Sequence, residues 1–382
     1  MKFGRNFLVV VTVLQLLCCK EPFDPSVESG SGSYLVVEGI ISTTGTSTIR
    51  LSQSLQISDN NKIKNLPGAE VRVEGEDSSI FPSTDEGNGV YTIPHLNLAI
   101  GQKYRLRITI PGGKEYLSDF TTAQATPAID NVEWVRDDKG VSISVDTHDP
   151  GNNTRYYMWD YEETWETRSY DYSNFKVVNA GVNLRLDPRD TVEANQMYTC
   201  WKTARSTNIL VSSSANLSSD VISDFPLVHI PAATEKLGVR YSILVRQYAL
   251  TRPAFEYLQR MKKNSEQMGS VFDPQPSEAR GNIRCITNPD EPVIGYISIA
   301  PVSEKRIFIR RSDVRQWNYS LGCETGYVLR HPDSLKNVFS RGDNIPISEE
   351  YSNGGEIVGY YYSNSVCMDC RITGSSIKPA FW

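Results

Sequence analysis

The sequence predicts a mainly β protein: a β-sandwich over residues 34–126, then a second β-sandwich-like domain over residues 127–382 with one inserted helix and a cysteine-containing C-terminal part. Three features carry that expectation. Ala69–Glu74 and Lys103–Ile110 alternate apolar and charged residues, the pattern of strands with one face in a core and one in water. Turn-forming clusters, Asp59-Asn60-Asn61, Glu86-Gly87-Asn88-Gly89 and Pro111-Gly112-Gly113, separate the strand-like pieces at short intervals. After Ala125-Thr126-Pro127, which reads as a joint, Val141–Val145 opens a second alternating series.

Ahead of the first strand, residues 1–25 run MKFGRNFLVVVTVLQLLCCKEPFDP. Lys2 and Arg5 precede an apolar stretch, Phe7–Leu17, that is too short for a stable bilayer span, so residues 1–18 are expected to be a signal peptide. Leu16-Leu17-Cys18-Cys19 reads as a relaxed lipobox, in which cleavage falls before a lipidated Cys19. Polar, proline-containing sequence follows the cysteine and no A-x-A-like site precedes it, which favours a lipoprotein over an ordinary secretory signal. Residues 19–33, rich in Ser, Gly, Pro and acidic side chains, then form a flexible lipidated tether. The body is expected to be globular and to meet the membrane through the lipid alone.

Within the second domain, Tyr157, Trp159, Tyr161 and Trp165 fall on one strand face, interrupted by Glu163, while Tyr156, Met158, Asp160, Glu162 and Thr164 fall on the other. An aromatic face can stack on sugar rings, but a sandwich core is its commoner use. Adjacent carboxylates such as Glu162-Glu163 point to opposite faces, so they cannot share a substrate and read as solvated charge. The helix is expected near residues 252–266: Thr251 caps it, Pro253 is tolerated in its first turn, Ala254, Leu258 and Met261 recur on one face, and Glu256 stands four residues before Arg260. Arg306–Ile309 is strand-like, and the remainder to Trp382 reads as polar and loop-rich.

Composition narrows the function. A net charge of −6 over 382 residues, with no basic stripe, argues against a nucleic-acid partner. G-x-S-x-G, H-E-x-x-H, P-loop and dinucleotide signatures are missing from the sequence, so no enzyme activity and no catalytic residue is expected. His95, His148, His229 and His331 are not at metal-ligand spacing, so no metal and no cofactor is expected. Export would place Cys200, Cys285, Cys323, Cys367 and Cys370 in an oxidising compartment, where all five are disulfide candidates. An odd number leaves one thiol over or needs a partner; the preferred pairing is Cys200 with Cys285, and Cys323 with Cys367 or Cys370. Cys367-Met368-Asp369-Cys370 lacks both a second metal-binding pair and a βαβ context, so it reads as structural and not as a zinc or redox element. Arg341-Gly342-Asp343 reads as a polar turn, and Asp190-Thr191-Val192 fits a short O-glycosylation pattern.

The order of the N-terminal strands is similar to prealbumin-like, Ig-like sandwiches. Longer segments resemble a family of Bacteroidetes-type lipoproteins, domain of unknown function 4249. They are Cys19-Lys20-Glu21-Pro22, LVVEG at Leu35–Gly39, YYMWDYEETW at Tyr156–Trp165, RYSILVRQYAL at Arg240–Leu250, GSVFDPQPSEARGNIRC at residues 269–285, and CMDCRITGSSIKPAFW from Cys367 to Trp382. The resemblance implies an outer-membrane, lipid-anchored protein in the company of a TonB-dependent transporter, as a non-catalytic accessory that captures or gates a ligand. The alternative is a surface adhesin or glycan-binding module.

Overall fold

A computed structural model describes residues 33–54, 63–94, 96–180, 183–266, 280–314 and 317–382. The expected signal peptide, Cys19 with the tether as far as residue 32, the turn at 59–61, His95 and the turn-rich 269–274 lie outside the described residues. Tyr34–Trp382 forms one compact unit, and it is mainly β.

Two six-stranded sheets share the first core. One carries Leu35–Glu38, Ser47–Gln53 and Val90–Ile93; the other carries Glu70–Gly75, Lys103–Thr109 and Glu115–Ser118. The alternation seen in the sequence decides which side chains enter: Val71 and Val73 meet Leu106 and Ile108 inside, while Arg72, Arg105 and Arg107 stay on the outer face. Tyr91 is fully buried, and its hydroxyl is satisfied by accepting from Ala69 N at 2.8 Å and donating to Leu66 O at 2.7 Å.

This sandwich is not completed by residues 34–126. The chain returns much later: Ile283–Cys285 adds antiparallel to Glu115–Ser118, Val293–Ile294 lies parallel to Leu35–Glu38, and Ser298–Ile299 lies parallel to Ile40–Ile41. Asn282 fixes the return by accepting from Ile297 N at 2.8 Å and donating to Ile297 O at 2.9 Å. Gly295, with φ +147°, passes so close to the first strand that a Cβ would sit 2.3 Å from Val37 O. Parallel pairing cannot be made by a local hairpin, and residue alternation names no partner, so the return is invisible to local sequence patterns.

A second core lies between a three-stranded sheet, Ile129–Arg136, Gly140–His148 and Val221–Pro231, and a five-stranded sheet built around Tyr156–Arg168 and Arg240–Ala249. Tyr157, Trp159 and Tyr161 point into it as expected. Trp159 Nε1 donates to Gln247 Oε1 at 2.8 Å, which closes the polar end of the ring inside the core. Glu163 departs from the expected solvated charge. It is 4% exposed and receives Lys236 Nζ at 2.6 Å and Tyr241 Oη at 2.9 Å, because its strand parity places it on the covered face.

The C-terminal part is more regular than the loop-rich stretch expected. Gly326–Leu329, Ile357–Asn364 and Asn344–Tyr351 form a sheet, with the helix Pro332–Phe339 packed through Leu335 and Phe339 against Val328 and Tyr360. A further short helix, Thr191–Tyr198, begins at Asp190, whose carboxylate accepts from Val192 N and Glu193 N. That residue, read as part of a glycosylation pattern, is a helix N-cap. Arg341-Gly342-Asp343 is a turn, with Gly342 at φ 74°.

Cys200 is bridged to Cys370 and Cys323 to Cys367, so the two halves of the C-x-x-C element tie the C-terminal segment to two different places. The expected Cys200–Cys285 pair is not formed. Cys285 is a buried free thiol in a strand of the first sandwich, while Cys200 sits in the five-stranded sheet of the second.

Candidate functional site

The strands that fill the two cores with alternate residues present their other residues outward, and two such outward faces meet across a cleft of about 780 Å³. One wall comes from the first sandwich: Val36 and Glu38 of Leu35–Glu38, with Thr48 and Arg50 of Ser47–Gln53. The other comes from the five-stranded sheet: Met158 and Asp160, Arg246 and Tyr248, and Glu304 of Ser303–Arg310. Tyr257, Leu258 and Met261 of the helix Arg252–Glu266 also line it.

The helix is positioned much as the sequence leads one to expect. Thr251 Oγ1 accepts from Ala254 N at 3.4 Å, and Ala254 and Phe255 pack with Tyr156, Met158, Leu258 and Tyr296. The i,i+4 ion pair, however, runs from Arg252 to Glu256 at 2.8 Å, one turn earlier than the expected Glu256–Arg260 pair.

An ion cluster forms the polar part of the cleft. Arg246 reaches Asp160 at 3.2 Å, Glu304 at 3.0 Å and Glu162 at 4.0 Å, and Arg205 reaches Glu162 at 3.2 Å. Burial works against the Arg246 charge, but Asp160 and Glu304 outweigh it and hold the guanidinium above its ordinary pKa. Burial, and then the neighbouring Asp160 carboxylate, push the Tyr248 phenol up, so it stays a neutral hydroxyl at working pH.

Beyond the cleft, the C-terminal residues cover more of the same sheet face. The Arg306 guanidinium lies 3.5 Å from the Phe381 ring centre, Arg240 lies 4.2 Å from Phe308 and 5.0 Å from Trp382, and Trp382 Nε1 donates to Glu166 at 3.3 Å. Burial lowers the Arg306 pKa from its ordinary value.

Of the residues singled out in the sequence, Met158, Asp160 and Tyr161 of the aromatic strand and Leu258 and Met261 of the helix line this cleft, while the histidines and cysteines do not. Tyr157 and Trp159 lie in the core with no ring face available to a sugar. His148 pairs with Asp130, His229 with Ser142 and His331 with Asp333, each apart from the others. Among the described residues no group of three or more His, Cys, Asp or Glu side chains could hold a metal ion. Arg246 and Glu304 were missed, and Asp160 was placed only on the strand face opposite the aromatics. The signal available was that Met158 and Asp160 alternate with core aromatics, yet alternation identifies a face without saying that another sheet stands opposite it.

A two-core β body with a polar-apolar cleft and two disulfides thus defines the class. A family model described as "Domain of unknown function (DUF4249)" matches residues 20–306, and this chain belongs to that family. No curated protein shows a significant sequence match. Among solved structures, a Salmonella alpha-2-macroglobulin mutant aligns at 10% identity and TM-score 0.19, over 88% of this chain and 18% of its own. Chitinase ChiA74 from Bacillus thuringiensis aligns at 11% identity and TM-score 0.15, over 47% of this chain and 29% of its own. At these TM-scores neither structure informs the fold or the function of this chain.

Proposed function

We propose that this chain is the folded body of an exported lipoprotein, anchored in the outer membrane by lipid on Cys19, that serves without catalysis as an accessory of a TonB-dependent transporter. It captures the transporter's ligand, or gates its entry, in the cleft between the two β bodies. The observation that carries this reading is the cleft itself. It is within the range of about 300–1,000 Å³ common for ligand sites, and it combines an apolar side with a few convergent polar groups. The lipobox-like Cys19, the disulfides suited to an oxidising compartment and the family membership support the location. A tether to a shared membrane raises the effective concentration of the two partners, so a modest direct affinity suffices. The surface-adhesin reading loses Tyr157 and Trp159 to the core. Deleting the gene is expected to lower uptake of the transporter's ligand, with recovery on complementation; unchanged uptake would contradict the role.

A further inference from the structure

We infer that the ligand of the cleft is a neutral, polyhydroxylated molecule with an apolar side, a short oligosaccharide. The inference deepens the proposed function and rests on the cleft being the capture site. Its first support is charge. The lining carries Glu38, Asp160 and Glu304 against Arg50, Arg205 and Arg246, a balanced set. Arg246 is already held by Asp160 at 3.2 Å and Glu304 at 3.0 Å. An anionic ligand must displace those carboxylates and a cationic one must displace the guanidinium, and either exchange leaves a half-buried charge without its partner. A sugar hydroxyl donates to a free carboxylate lone pair and accepts from a remaining N–H, and no existing pair is broken.

The second support is that the strands at the centre of the walls are already paired, while Ser303–Arg310, which carries Glu304, ends its sheet. The strands carrying Asp160, Arg246 and Arg50 are each hydrogen-bonded to neighbours on both sides. An extended peptide draws its affinity from main-chain bonds to an open sheet edge, which these strands do not offer. The cleft offers side chains instead, Thr48, Tyr248, Tyr257 and Tyr296 among them.

The third is the apolar side, where Met158, Leu250, Leu258 and Met261 stand beside those tyrosines. Sugar rings present C–H faces that pack on such surfaces, and thioether side chains adapt to their shape. A purely apolar lipid would cover the ion cluster without replacing its water, which is unfavourable.

The test uses the full chain extracted from membranes in a detergent without a sugar headgroup. It is applied to an array of neutral, anionic and cationic glycans and of short peptides, and hits are titrated by calorimetry. At least one neutral oligosaccharide is expected to bind, and Met261→Arg, which puts a bulky cation into the cleft from the helix, is expected to weaken it by about tenfold or more with unchanged melting. Arg246→Lys, which keeps the charge and loses the planar fork, should also weaken binding. Binding of charged glycans or peptides only, or of no neutral glycan, overturns the inference. A transporter that co-purifies with a chain binding no neutral glycan would overturn this inference and leave the accessory role standing; glycan binding with no transporter would do the reverse.

Discussion

Asp160 and Arg246 stand directly opposite one another on neighbouring antiparallel strands, and Arg246 Nη1 donates to Asp160 Oδ1 at 3.2 Å on the wall of the cleft. A cross-strand pair of this kind is a unit of sheet stability as well as a polar feature of the site. Arg246→Ala should lower stability by about 1–3 kcal/mol, because Asp160 and Glu304 lose their shared partner. In urea titrations the double variant Asp160→Ala/Arg246→Ala should cost less than the sum of the two single changes. Strict additivity would mean that the pair contributes nothing.

Glu74 gives a pH-dependent prediction. Burial acts to raise its carboxyl, but hydrogen bonds from Arg107, Arg105 and Arg72 prevail and hold it at about 2, below the ordinary 4.5. A pKa lowered on folding contributes stability that is complete above the unfolded value and is lost as pH falls from about 4.5 towards 2. Glu74→Gln should therefore cost about 2–3 kcal/mol at pH 7, and the gap to the parent should close as acid is added. A gap that stays constant from neutral pH to pH 3 would contradict the assignment.

Cys370 and Cys200 are 170 positions apart, so their bridge closes a long loop, and Cys370→Ser should cost about 2–4 kcal/mol. Non-reducing peptide mapping should yield the 200–370 and 323–367 linked peptides, with Cys285 alkylated only after unfolding. A 200–285 peptide would refute this connectivity.

What the sequence made legible was the facing of side chains within single strands. Val71, Val73, Leu106 and Ile108 go inward and Tyr157 with Trp159 fill a core, because a period of two is a local property of the backbone. What lies opposite a face is a long-range property. That is why Glu163 appeared solvated although Lys236 and Tyr241 enclose it, and why nothing in the sequence marked Asp160 and Arg246 as facing a cleft. The same limit hid the pairing of Val293 with Leu35 and the partner of Cys200. Short elements were lost for a different reason: Thr191–Tyr198 spans about two turns, too few for a periodic pattern to stand out, and only the Asp190 cap could have marked it.

The anchor is testable on its own. Under the proposed lipid anchor, Cys19→Ser should release the protein from the membrane fraction. A variant that stays bound through a high-salt wash would show that something other than lipid holds it.

The most direct test of the accessory role is purification of the tagged full chain from outer membranes in mild detergent, followed by mass spectrometry of what accompanies it. The account predicts a TonB-dependent transporter recovered in comparable amount, and recovered less from the Cys19→Ser strain, where the shared membrane no longer concentrates the partners. Recovery of the chain without any transporter, together with turnover of a glycan or peptide substrate by the pure protein, would contradict it.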